Sequence, residues 1–378
     1  NNTASGYYAL KVNTTGSDNT ASGYQALRTN TTGLDLTAFG SAALYSNTTG
    51  SYNTAVGRKS LNSNTSGVYN TAVGACSLEN NTLGRFNTAS GFETLKSNTT
   101  GEYNSAYGMY SLRANTTGTQ NTASGYSSLR FNTTGSKNTA LGLSALHTNT
   151  TGVNNTALGV LALCANTSSA NTAIGACAMR TNTTGYNNTA SGYGALRSNT
   201  EGTSNTAIGM YSMLANTTGC RNTASGMYSL KSNTTGCYNV ANGSCALCAN
   251  TTGSYNTALG HTALRVATTG TLNTGIGNRS LLSNTTGSCN VALGSAALEN
   301  ATTAVCNTAI GTSSLISDTT GQLNTALGAL AGYAVTTGGN NVAIGARAMC
   351  ATTTGERNVI IGTDALRLNT TGSCNTAV

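Results

Sequence analysis

Apolar residues along the chain come in small groups at fixed intervals. In the stretch NTASGYQALRTNTTG, beginning at Asn19, an alanine is followed five residues later by an Ala-Leu pair, and a polar Asn-Thr-Thr-Gly run closes the phrase. The phrase then restarts, and its central glycine gives the register. Gly6, Gly23, Gly40, Gly57, Gly74, Gly91, Gly108, Gly125, Gly142 and Gly159 are each 17 residues apart. One residue is lost at 166–171, which read NTSSAN where a neighbour reads NTTGVNN, and the spacing of 17 resumes from Gly175 to Gly362. Numbered from the Asn of NTA, the unit is N-T-A-x-G-x-x-A-L-x-x-N-T-T-G-x-x, and residues 1–378 hold 22 units and the start of another. The chain therefore reads as a single continuous repeat array with one shortened unit, rather than as several domains.

Glycine, asparagine and threonine oppose long helices, and the Ala-Leu pairs do not recur at helical spacing inside one unit. Two short extended segments, around NTAxG and around xALxx, joined by two turns, fit better. The predicted fold class is all-β: a parallel β-solenoid (β-roll) of 17-residue coils, one coil per repeat. Coils stacked about 4.8 Å apart would make a rod of roughly 100 Å. Equivalent slots then stand above one another, so the asparagines of slots one and twelve should form ladders along the axis.

Alternation along the first segment puts slots three and five on one face and slots two, four and six on the other. Alanine and glycine at three and five demand a close neighbour. Slots four and six exchange volume: Ser22 accompanies Tyr24 and Ser191 accompanies Tyr193, whereas Ile174 accompanies Ala176 and Ile344 accompanies Ala346. Such exchange suggests that this face is buried too, inside the coil or against another protomer. Slot nine is leucine with Met179, Met213 and Met349 as substitutes, and Gly332 breaks it.

Composition removes the ordinary globular alternative. Proline and tryptophan are absent, glycine numbers 46, and 7% of residues are charged, too few for a charged shell around an oily core. The phrase is already under way at Asn1 and unfinished at Val378, as expected of a piece of a longer chain. No stretch is long and apolar enough to span a bilayer.

The forms NTAIG at Asn171, NVALG at Asn290 and NVAIG at Asn341 resemble the head repeats of trimeric autotransporter adhesins. The full phrase is similar to repeat shafts of phage tail fibres and bacterial surface fibres. The resemblance covers the whole chain, although the adhesin heads typically use a shorter unit. It implies a parallel β-roll and an extracellular stalk or adhesive fibre that self-associates into a fibre or trimer.

Eleven cysteines point to an oxidising compartment. Cys220 and Cys237 fall on one slot of successive coils, as do Cys289 and Cys306, within the Cα separation a disulfide tolerates. Cys245 and Cys248 are a weaker candidate pair, and their CxxC lacks the second pair a zinc site needs. Each NTT is also an N-glycosylation sequon: Asn13, Asn30, Asn47, Asn98, Asn115, Asn132, Asn149, Asn182, Asn216, Asn233, Asn250, Asn284 and Asn369. These can carry sugar, or asparagine can serve the turn by accepting left-handed backbone angles and bonding its own chain, and both can hold if the turn is exposed.

Part of the net charge of +8 lies in one slot. Lys11, Arg28, Lys96, Arg113, Arg130, Arg180, Arg197, Lys231, Arg265 and Arg367 occupy slot ten and form a broken basic stripe. It could hold an anionic surface polysaccharide. The duller reading, that long charged residues keep an exposed strand soluble, is preferred, because no aromatic interleaving is evident; nucleic acid is not an expected partner. Ten carboxylates, with His147 and His261, are spread over many coils, and the NTTG turns lack the lysine of a phosphate loop. No catalytic residue, metal site or cofactor is expected, and the chain reads as a structural protein or a binding shaft rather than an enzyme.

Overall fold

The computed structural model describes Asn1–Val378. It comprises two compact units, Asn1–Asn187 and Asn188–Val378. Each is a parallel β-solenoid in which one repeat makes one coil, and no helix is present. The first unit runs from β1 (Asn2–Ser5) to β11 (Thr172–Ile174), and the second from β12 (Thr189–Ser191) to β23 (Thr376–Ala377). Strands pair in parallel with the equivalent residues of the next coil, as Thr37, Ala38 and Phe39 do with Thr54, Ala55 and Val56. Stacked rings show the rise between coils: the centroids of Tyr52, Tyr69, Phe86 and Tyr103 follow one another at 4.8, 5.1 and 4.9 Å.

Only one of the two expected extended segments is a strand. The region around the Ala-Leu pair is a tight turn, because slots seven and nine adopt left-handed backbone angles: Gln25 has φ 57° and Leu27 has φ 50°. Slot seventeen does the same, as at Asp35 (φ 54°). A left-handed residue costs an L-amino acid about 1–2 kcal/mol. Here the conformation turns backbone donors along the coil axis. The Gln25 N–H donates to the Tyr7 carbonyl of the preceding coil at 2.8 Å, and the Leu27 N–H donates to the Ala43 carbonyl of the following one at 3.0 Å. The turn thus joins the axial hydrogen bonding that the missing second strand would have supplied. Gly194 and Gly332 occupy these left-handed slots with φ 62°. Gly332, the break in the leucine column, lies beside Leu315 and Val335, whose side chains would meet any Cβ there.

The core is thin. In each regular coil the slot-three alanine, the slot-eight residue and the slot-nine leucine are shielded from solvent, as are Ala21, Ala26 and Leu27. Slot five must be glycine because the coils touch there. A Cβ on Gly125 would lie 2.6 Å from the Gly142 carbonyl oxygen, and the residue has φ 133°.

Both asparagine ladders are present and buried. In slot twelve the Asn115 Nδ2 donates to Asn98 Oδ1 in the preceding coil at 2.8 Å and to the Gly118 carbonyl in its own turn at 3.0 Å. In slot one the Asn121 backbone N–H donates to Asn104 Oδ1 at 3.0 Å, and its Nδ2 donates to the Gly135 carbonyl at 2.9 Å. The shortened coil keeps both ladders. Ser168 takes the place of the turn glycine, its carbonyl accepting from Asn155 and Asn166 at 2.8 Å each. Asn182 Nδ2 still reaches Asn166 Oδ1 at 2.8 Å.

Candidate interaction surfaces

The ladders decide where the sequons sit. Asn30, Asn47, Asn98, Asn115, Asn132, Asn149, Asn182, Asn216, Asn233, Asn250 and Asn284 are shielded from solvent, while Asn13 and Asn369, in the outermost coils, are half-buried. At Asn47, for example, Nδ2 donates to Asn30 Oδ1 and to the Gly50 carbonyl, both at 2.8 Å. That leaves the nitrogen no free hydrogen for a glycosidic bond. The folded geometry supports the turn role of these asparagines, although not by the expected left-handed angles: the non-glycine left-handed positions are slots seven, nine and seventeen.

The face bearing slots four and six is not buried inside the coil, as volume exchange suggested. Tyr24, Phe39, Tyr107, Ile208 and Leu293 are exposed. Strands β3 (Thr37–Phe39) and β18 (Val291–Leu293) alternate accordingly, with only the central alanine buried. In the second unit slot four is aliphatic in seven successive coils: Leu259, Ile276, Leu293, Ile310, Leu327, Ile344 and Ile361. Thr or Val at slot two runs alongside, giving a smooth methyl-rich strip of sheet.

All eleven cysteines are thiols in this structure. The Sγ atoms of Cys220 and Cys237 face each other at 2.8 Å, and burial, followed by the neighbouring Cys237 thiol, pushes the Cys220 thiol up from its ordinary pKa. Burial and then Cys289 do the same to Cys306, and burial and then Cys245 do so to Cys248. The three candidate pairs are therefore neighbours that stand as unbonded thiols.

In each unit the slot-ten cations lie along one edge, half-buried or exposed, and slot seven lies beside them. The structure divides the stripe. Lys96 pairs with Glu93 at 2.7 Å and Glu79 at 3.6 Å, and Arg113 Nε pairs with Glu93 at 2.6 Å. Arg367 lies 3.8 Å from Asp364. Hydrogen bonding from Lys96 is the main cause holding the Glu93 carboxyl below its ordinary range. Rings meet the cations as well, and Arg113 does both, lying over Tyr110 at 5.7 Å. Lys11 lies over Tyr8 at 4.2 Å, Arg28 over Tyr8 and Tyr45 at 5.5 and 5.4 Å, Arg130 over Tyr110 and Phe131 at 4.9 and 5.3 Å, and Lys231 over Tyr228 at 4.9 Å.

The expected absence of aromatic interleaving is thus corrected. The rings sit in slots seven, ten and eleven, and the sequence signal for most of them was three-residue spacing, as in Tyr8 and Lys11 or Tyr228 and Lys231. Slot seventeen holds a further feature the sequence reading passed over, the stacked Tyr52, Tyr69, Phe86 and Tyr103, whose signal is aromatics recurring in one slot. No three His, Cys, Asp or Glu side chains converge on a point that could hold a metal ion, and no helix is long and apolar enough to cross a membrane. No protein-family model and no curated protein sequence matches the chain.

Proposed function

We propose that this chain is a structural, non-catalytic β-solenoid subunit of an extracellular filament or surface fibre, built to self-associate through its outward sheet face. The observation that carries the reading is the aliphatic strip of the second unit. Seven strands at about 4.8 Å make a strip about 30 Å long and about 10 Å wide. A contiguous apolar patch of a few hundred Å² on a soluble surface marks an interaction site, and the only polar groups in the two columns are threonine hydroxyls. Flat sheet faces of this kind pack on one another about 10 Å apart.

Other features support the same role. Ladders that template each coil from the last give an element that lengthens without redesign. The likeness of the NTAIG and NVALG phrases to adhesin-head and tail-fibre repeats points to a surface fibre. The facing thiols of Cys220 and Cys237 suit an oxidising compartment, where an axial disulfide would staple adjacent coils. A second reading, the shaft of an adhesin or tail fibre touching glycans through its sides, is favoured by the ring-held arginines of slot ten.

The test is assembly. Sedimentation and electron microscopy should show concentration-dependent filaments or bundles, and the double variant Ile310→Lys/Leu327→Lys should remain single chains with unchanged circular dichroism. Wild-type protein that stays monodisperse at high concentration, or assembly indifferent to the two lysines, would remove the reading.

A further inference from the structure

We propose that the edge of the first unit bearing Arg28 and Arg130 is a two-point binding site for an extended anionic polysaccharide, a glycan carrying carboxylate or sulfate groups along its length. Each guanidinium is held between two rings, Arg28 by Tyr8 and Tyr45, and Arg130 by Tyr110 and Phe131. Arg28 is also tied by an Nη1 hydrogen bond to the Tyr45 hydroxyl at 2.5 Å, and Phe131 is braced edge-on by His147 at 4.9 Å. Neither arginine has a carboxylate partner, and the Arg130 Nε is buried with no acceptor.

The cations between them differ. Lys59, Glu79, Lys96, Glu93 and Arg113 form a chain of ion pairs, so each of these three cations already has a carboxylate partner within the protein. Two planar, immobilised cations without an anion therefore flank a segment whose cations are ion-paired. An arginine ordered in advance loses little freedom when an oxyanion arrives, and its fork suits carboxylate or sulfate. The sites stand six coils apart, about 29 Å, so one long chain ligand can engage both, and the second contact is then intramolecular. Glycan is favoured over single-stranded nucleic acid because the guanidinium groups occupy ring faces on which bases would stack. The inference does not depend on filament formation, since a single chain carries the whole site.

The experiment is calorimetric titration of the full chain at physiological salt. The probes are an oligogalacturonate and a sulfated dextran long enough to span both arginines, a neutral dextran and an oligothymidylate of equal length. The expected result is binding of the carboxylated or the sulfated probe, the two arms showing which, with no binding of neutral dextran. Arg28→Gln and Arg130→Gln should each weaken binding about ten-fold, as loss of one of two linked contacts does, and the double variant should abolish it. Lys137→Gln, the same charge change in slot seventeen, should leave it intact. Should Arg130→Gln unfold, Phe131→Leu reads the same site by freeing the guanidinium from one ring, with a several-fold loss expected. The proposal is overturned if neither acidic glycan binds, if Lys137→Gln weakens binding as much as Arg130→Gln, or if oligothymidylate binds more tightly with the same arginine dependence.

Discussion

Asp318 shows how much depends on one residue of the slot-twelve ladder. It stands where most coils have asparagine, between Ala301 and Val335 of the adjacent coils, and is shielded from solvent. One carboxyl oxygen accepts from the Gly321 N–H at 2.7 Å, and the other has no partner. Burial raises its pKa from 3.8 to about 7, against the smaller lowering effect of the hydrogen bonds from Gly321 and Asn324. The folded-state value lies above the unfolded one, so the unfolded chain releases this proton first as pH rises. The stability conferred by protonated Asp318 is complete below about pH 4 and drains away as pH climbs to about 7, by roughly 4 kcal/mol in all. Urea midpoints at about pH 5 and about pH 8 should differ for the wild type through this group. Asp318→Asn should flatten that difference; an unchanged difference would show that Asp318 does not cause it.

The ladder itself can be tested one rung at a time. Asn115 is bonded on both sides, since Asn132 Nδ2 also donates to its Oδ1 at 2.8 Å. Asn250 faces Ala267 in the next coil, and its Oδ1 is buried without a partner. Asn115→Ala should therefore cost about 2–3 kcal/mol, and Asn250→Ala about 1 kcal/mol less. Chemical denaturation measures both, and equal costs would mean that axial amide bonding contributes little.

At the scale of the coil, the sequence announced more than it explained. The 17-residue register, a strand at NTAxG and the axial alignment of Asn30 with Asn47 were all readable, because identical residues in one slot are the signature of stacking. The turn at the Ala-Leu pair was not. Leucine carries no preference for left-handed angles, and only the inter-coil hydrogen bonds of slots seven and nine make that conformation worth its cost. The outer face was legible only in part: volume exchange between Ser22 and Tyr24 looks the same whether the neighbours are core atoms or another protomer, and the structure removes only burial inside the coil. Glycine at slot five was legible as a close approach. Gly125→Ala should lose more than about 3 kcal/mol, because the clash with the Gly142 carbonyl adds to a strained φ. A thermal scan checks this, and a near-neutral result would mean that adjacent coils can separate there. At slot fifteen the same crowding comes from the ladder: a Cβ on Gly118 would lie 2.4 Å from Asn115 Oδ1. The buried alanine Ala304 occupies this slot in the coil whose slot-twelve residue is Ala301.

For the whole molecule, each coil offers the same few groups again. What varies is the surface: ring-held arginines on one edge of the first unit, facing thiols and an aliphatic strip in the second. The basic stripe was visible as a column of letters, but its division into ion-paired and ring-held cations was not. That division depends on which slot-seven residue meets which slot-ten residue across coils, as Arg113 meets Glu93. In the proposed fibre, lateral packing of sheet faces leaves the coil axes running along the filament. Diffraction from oriented filaments is the most direct check. The account predicts a strong meridional reflection at about 4.8 Å, the spacing between hydrogen-bonded coils. A reflection of that spacing on the equator, or none at all, would contradict it.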